Sequence, residues 1–146
     1  MANKVNQVAD ELVTVLNAGV ASISTSAVRK HSPRYDIAAG DLDSLKVTVI
    51  PAARSAEVVS RSAYSRGYTC AILIQKKLSA DRSETEIAAL DDIVEDVFAY
   101  LLANPRLTTS GTRLMAWSND PIYSTEHLHE EGVYTSVIQV TAMDWR

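Results

Sequence analysis

The strongest constraint on the fold is a pair of apolar, strand-like runs separated by a long polar segment. Residues 45–50 and 68–78 are rich in Val, Ile and Leu, which favours β-strands, and Pro51 is expected to end the first run. The segment between them, residues 51–67, is too long for a tight turn, and residues 57–60 within it are compatible with a further strand. Its arginines are Arg54, Arg61 and Arg66. We therefore expect a long β-hairpin in which residues 51–67 project as an arm.

Two other stretches have the periodicity of amphipathic helices. In residues 3–16, apolar side chains recur every three or four positions, which places them on one helical face. Residues 83–86, Ser-Glu-Thr-Glu, fit a capping box at the start of a second helix, because the serine hydroxyl and the second glutamate can both pair with backbone N–H groups. Asn104 and Pro105 are expected to end that helix.

The remaining strand-like stretches define the fold class. Residues 22–31, 113–117 and 133–145 are expected to be strands, and residues 69–74 are apolar on both faces, as in an internal strand covered by helices. Strands grouped before and after a central helix predict an α+β domain. We expect a mostly antiparallel mixed sheet, two main helices packed on one face and the long hairpin arm. A single domain is expected to span residues 1–146.

Composition narrows the functional classes. The sequence is 47% hydrophobic and 22% charged, which is ordinary for a soluble globular protein. Its net charge of −4 argues against a general nucleic-acid binder, which is normally basic. The single cysteine, Cys70, lies in an apolar run and leaves no partner for an intramolecular disulfide. We expect a soluble protein that folds in a reducing cytoplasm and does not enter a membrane.

Catalytic motifs are weak in this sequence. His127 and His129, together with Glu126, Glu130 and Glu131, form the one candidate metal cluster. Histidines two residues apart share a face in a strand but diverge in a helix, so a solvated loop or strand edge is the favoured interpretation. No nucleophile elbow or glycine-rich phosphate loop is present. We therefore assign no catalytic, cofactor-binding or metal residue and expect that the chain is not an enzyme.

Two charged sets are candidate interaction surfaces. The first is the arm's arginines, Arg54, Arg61 and Arg66, whose guanidinium groups suit charge-assisted contacts with carboxylates at protein interfaces. The second is the acidic face of the second helix, represented by Asp91, Asp92 and Glu95. Solubilising surface charge is the alternative for both sets. A third interpretation of the arginines, contact with passing nucleic acid, requires many copies of the arm, as in a ring.

Several features together form a recognisable order along most of the chain. They are the opening helix at residues 5–16, the loop Pro33-Arg34-Tyr35-Asp36, a Leu-x-Val-x-Val-x-Pro strand at residues 45–51, Ser60-Arg61, the apolar strand at residues 68–74, the acid-rich helix at residues 86–102, and a final strand ending in Asp144-Trp145. In this pattern the chain resembles the tail terminator proteins of long-tailed bacteriophages, also called tail completion or minor tail proteins. Those proteins are small α+β subunits that assemble as a hexameric ring.

The resemblance implies a structural virion protein at the neck-proximal end of the tail, assembled in the host cytoplasm. The expected partners are further copies of the chain in a hexamer, the tail tube protein and the head–neck connector, with DNA passing through the ring lumen without sequence-specific binding. The arm would face a neighbouring subunit, the tube or the lumen. The alternatives are a neck (head–tail) adaptor, a small metal-dependent enzyme using His127 and His129, and a bacterial α+β binding module.

Overall fold

A computed structural model describes residues 3–20, 23, 27–30, 44–78, 84–119 and 132–144. The elements, in chain order, are α1 (Lys4–Gly19), β1 (Ala27–Arg29), β2 (Lys46–Ser60), β3 (Ala63–Lys77), α2 (Glu84–Ala103), β4 (Arg106–Leu107), β5 (Thr112–Ser118) and β6 (Val133–Asp144). The predicted loop at residues 33–36, the capping residue Ser83, the histidine cluster and Trp145 lie outside the described residues.

The strands form one mixed sheet in the order β1-β2-β3-β6-β5-β4. β1 pairs with β2 in parallel, and every other neighbouring pair is antiparallel. β3 lies between β2 and β6 and is paired with both along most of its length. The α+β fold class and the mostly antiparallel mixed sheet are therefore confirmed.

The two helices share one core with a single face of the sheet. On β3 this face carries Cys70, Ile72 and Ile74, which are completely buried, and the apolar stripes of α1 and α2 belong to the same cluster. α1 contacts β1, β2 and β3, whereas α2 contacts β5 and β6. On the other face of β3, Ala71 and Leu73 are only half-buried.

The ends of α1 are set by specific contacts. The Asn3 side chain accepts a hydrogen bond from the Val5 N–H at 3.0 Å and caps the helix. The helix continues to Gly19, beyond the predicted residue 16. A Cβ atom at Gly19 would lie 2.0 Å from the Tyr100 ring, so glycine allows α1 and α2 to approach closely here. α2 ends at Ala103, immediately before the predicted stop at Asn104.

A buried carboxylate ties α1 to the turn between β4 and β5. Glu11 is only 8% exposed, and its two oxygens accept hydrogen bonds from the backbone N–H groups of Thr109 (2.8 Å) and Ser110 (2.9 Å). The Lys4 ammonium donates to the Ser110 carbonyl of the same turn. Buried charge is tolerated when its hydrogen-bonding capacity is used, as it is here.

Two edge elements differ from the prediction. The strand expected at residues 22–31 is described only as Ala27–Arg29, where the Asn17 side-chain amide bonds both the N–H and the C=O of Ala27 at 3.0 Å. β4 was not predicted, since its two residues, Arg106 and Leu107, give no detectable alternation.

Candidate functional site

The hairpin formed by β2 and β3 extends beyond the rest of the sheet. β1 pairs with β2 only as far as Val49, and the pairing of β3 with β6 ends at Gly67. Among the residues that the structure describes, the two strands pair beyond those positions only with each other, until Arg61 and Ser62 form the turn. We call residues 54–67 the ribbon; at about 3.4 Å per residue, its unsupported part extends roughly 20 Å.

The predicted arm is therefore present, but its internal structure differs from the expectation. β2 continues through Pro51, so the expectation that this proline ends the strand is wrong. Proline has no backbone N–H to donate to a neighbouring strand. A register shift between Pro51 and Ala53 accommodates it at an edge of β2 where β1 no longer pairs. Residues 51–67 are thus two halves of continuous strands joined by a tight turn, and not a separate connecting segment.

The register sorts the ribbon side chains into two faces. Arg54 lies opposite Tyr68, and two-residue alternation continues from this pair towards the turn. One face therefore carries Arg54, Ala56, Val58, Tyr64 and Arg66. Because Tyr68 is buried in the core, this face is continuous with the helix-covered side of the sheet. We call the set Arg54, Val58, Tyr64 and Arg66 the ribbon face.

Large apolar side chains near the turn are unusually exposed. Val58 is 67% exposed, Val59 is 66% exposed and Tyr64 is 65% exposed. Val58 and Tyr64 are direct cross-strand partners, and a register shift after Val58 leaves Val59 as an extra residue beside the turn. The charge pattern of the sequence pointed to the arginines alone; the structure places the apolar side chains of Val58 and Tyr64 on the face that carries Arg54 and Arg66.

Contacts at the base hold the ribbon to the body. The Tyr68 hydroxyl donates to Asp144 Oδ2 at 3.3 Å, and the Lys4 ammonium lies 3.9 Å from Asp144 Oδ1. Burial and the negative charge of Asp144 raise the pKa of Tyr68, with a smaller opposing effect from Arg66. A cavity of about 440 Å³ opens beside these groups and is lined in part by Tyr64 and Arg66.

The three predicted acidic residues of α2 have different environments. Asp91 is half-buried and accepts a hydrogen bond from the Tyr134 hydroxyl, so it connects α2 to β6. Asp92 and Glu95 are exposed. They belong to a continuous exposed stripe at three- and four-residue spacing, Ala88, Asp92, Glu95, Ala99 and Leu102, which we call the outer stripe of α2.

The structure does not bring the two predicted charged sets together within one chain. α2 packs against β5 and β6, whereas the ribbon extends from β2 and β3. Within the part of the chain that is described, no ion pair joins a ribbon arginine to an α2 carboxylate. The arginines are themselves divided, since Arg54 and Arg66 share the ribbon face and Arg61 lies in the turn.

Chemical reactivity in the described residues is limited. Cys70 is fully buried, and burial raises the pKa of its thiol to about 12. Among the described residues there is no group of three or more His, Cys, Asp or Glu side chains suited to a metal ion. The candidate ligands His127 and His129 lie outside those residues. Neither described helix is long and apolar enough to cross a membrane.

Comparison with known proteins adds no family assignment. No protein-family model matches the sequence, and no curated protein matches it. The features of this chain that bear on function are therefore its fold, the ribbon face and the outer stripe of α2.

Proposed function

We propose that this chain is the subunit of a ring that caps the tail tube of a long-tailed bacteriophage, ends tube polymerisation and joins the tail to the head–neck connector. The observation that supports it best is the unsupported ribbon with Val58, Val59 and Tyr64 exposed near its turn. A two-stranded hairpin is marginally stable in water, and clustered exposed apolar side chains mark interaction surfaces. Such a ribbon gains stability when another protein covers it.

The mechanism we propose is geometric. Each subunit would contact the next through two different surfaces, and such heterologous contacts close into a ring when the rotation between subunits permits it. One surface of the ring would match the last ring of the tube, and the opposite surface would not repeat that match. Growth of the tube would then end at this ring, and the opposite surface would be available to the connector.

The direct test is assembly of the purified chain, alone and with a tail tube protein of the same virus. Native mass spectrometry is expected to show a hexamer, and negative-stain electron microscopy is expected to show rings that bind tube ends. Addition of the chain during tube polymerisation should shorten the tubes. A chain that stays monomeric at high concentration, with tube protein present as well, would contradict the proposal.

A capture experiment separates this role from that of a neck adaptor. Immobilised chain is incubated with tube protein and with portal-adaptor protein in equal amounts. Retention of the tube protein supports the tail-terminating role. Retention of the portal adaptor without the tube protein would overturn it in favour of a neck adaptor.

A further inference from the structure

We infer that the ribbon face of one copy docks along the outer stripe of α2 of a second copy. The inference deepens the proposed function, because it rests on a ring of identical subunits and names the contact that closes it. Both surfaces are exposed in the single chain, and they lie on different elements of it. One chain therefore offers a donor surface and an acceptor surface, as a heterologous contact requires.

Charge is the first argument for this pairing. α2 contains six acidic residues and no basic residue, and Asp92 and Glu95 of the outer stripe are exposed. The ribbon carries three arginines and one glutamate, Glu57, which lies on the opposite side from the ribbon face. Opposite potentials on the two surfaces favour docking, and arginine pairs well with carboxylates at interfaces.

The spacing of the charged and apolar groups is the second argument. On the ribbon, Arg54 and Val58 are four residues apart, which is about 14 Å in an extended strand. On α2, Asp92 and Leu102 are ten residues apart, which is about 15 Å along a helix. An arginine can thus lie against a carboxylate while a valine lies against a leucine.

The second strand of the ribbon and the middle of the outer stripe have a matching shorter interval. Arg66 and Tyr64 are about 7 Å apart along their strand, and Glu95 and Ala99 are about 6 Å apart along the helix. The small Ala99 side chain leaves room for the Tyr64 ring. Leu102, which is 47% exposed, would contribute further apolar area next to that ring.

A charge exchange tests the pairing. Arg54→Glu and Asp92→Arg should each weaken self-association at least tenfold in sedimentation-velocity titrations, because each places like charges opposite one another. The double variant should recover most of the affinity, since the pair is restored with reversed polarity. Arg106→Glu, which reverses an exposed arginine on β4, is the matched control and should associate like the unaltered chain.

Disulfide trapping tests the same contact without relying on charge. The Tyr64→Cys, Ala99→Cys double variant should form intermolecular cross-links on mild oxidation, producing a ladder on non-reducing gels. Tyr64→Cys, Ala116→Cys is the control, because Ala116 is exposed on β5 and away from the outer stripe. The buried native Cys70 is not expected to cross-link.

The outcomes separate this inference from the proposed function. The unaltered chain could form rings while the double charge variant does not regain affinity and the Tyr64→Cys, Ala99→Cys variant does not cross-link. That result would overturn the docking and leave the tail-terminating role intact. Cross-linked rings that neither bind nor shorten tubes would support the docking and overturn the role. A chain that is monomeric under all conditions, with tube protein included, would overturn both.

Discussion

Replacement of Glu11 should destabilise the fold far more than its position on a surface helix indicates. Its carboxylate accepts backbone hydrogen bonds from Thr109 and Ser110 at 2.8 and 2.9 Å, and the side chain is 8% exposed. Hydrogen bonds to charged groups contribute about 1.5–3 kcal/mol each, and a buried donor left without its acceptor costs about 1–3 kcal/mol.

These magnitudes separate two variants. Glu11→Gln keeps the shape and one oxygen but directs an NH₂ group at a backbone N–H, so we expect a loss of about 1–3 kcal/mol in the free energy of unfolding. Glu11→Ala leaves both N–H groups without this acceptor, and we expect a loss of about 2–5 kcal/mol. The β4–β5 turn should loosen in both variants, because the carboxylate is its tie to α1.

The matched control is the neighbouring carboxylate. Asp10 is exposed and forms an ion pair with Arg29 at 2.8 Å. Asp10→Asn should cost no more than about 1 kcal/mol, as is usual for surface ion pairs. Urea unfolding followed by circular dichroism gives the free energies, provided that all variants are compared at one protein concentration. If Glu11→Gln unfolds within 0.5 kcal/mol (roughly the error of such fits) of the unaltered chain, or no differently from Asp10→Asn, the reasoning is refuted.

The remaining outcomes can be checked independently of Glu11. Arg61→Glu should impair ring assembly in native mass spectrometry while leaving the circular dichroism spectrum unchanged, because Arg61 lies in the exposed turn of the ribbon; normal assembly would show that the turn makes no essential contact. Cys70 should react with iodoacetamide rapidly in urea and very slowly in the native state, since burial raises its pKa to about 12, and equal rates would contradict this. Because the folded-state pKa is raised, the stability due to this thiol is fully present below about pH 9 and decreases as the pH rises towards 12. Metal analysis of the purified protein should find no stoichiometric zinc or nickel, and a bound ion that is lost in a His127→Ala, His129→Ala variant would favour the metal-enzyme alternative.

The sequence was most informative where a local pattern carries its own physical cause. The spacing of apolar residues placed both helices, because an amphipathic stripe follows from the 3.6-residue period alone. Asn104 and Pro105 marked the end of α2 because proline cannot continue a helix. The hairpin was also foreseen, but its turn at Arg61 and Ser62 lacks the Asn-Gly or Asp-Gly signal that identifies a two-residue connection.

The candidate site was foreseen only in part. Arginines and carboxylates are visible in any sequence, so both charged sets were identified, but their orientations were not. Asp91 turns towards Tyr134 and Asp92 turns to solvent, although the two residues are adjacent. Val58 and Tyr64 were not singled out, because an apolar residue in a strand is ordinarily buried, and exposure depends on how far the neighbouring strands reach.

The sequence by itself determined an α+β chain with two amphipathic helices, a long arginine-bearing hairpin and an acidic second helix. These properties depend on periodicity and composition, which are local. Only the tertiary structure decided that the pairing of β3 with β6 ends at Gly67, that Pro51 lies in β2 beyond its last pair with β1, and that Glu11 is buried against a distant turn. Each of these depends on contacts between residues far apart in the chain, and such contacts decide where the ribbon leaves the sheet and which side chains it exposes.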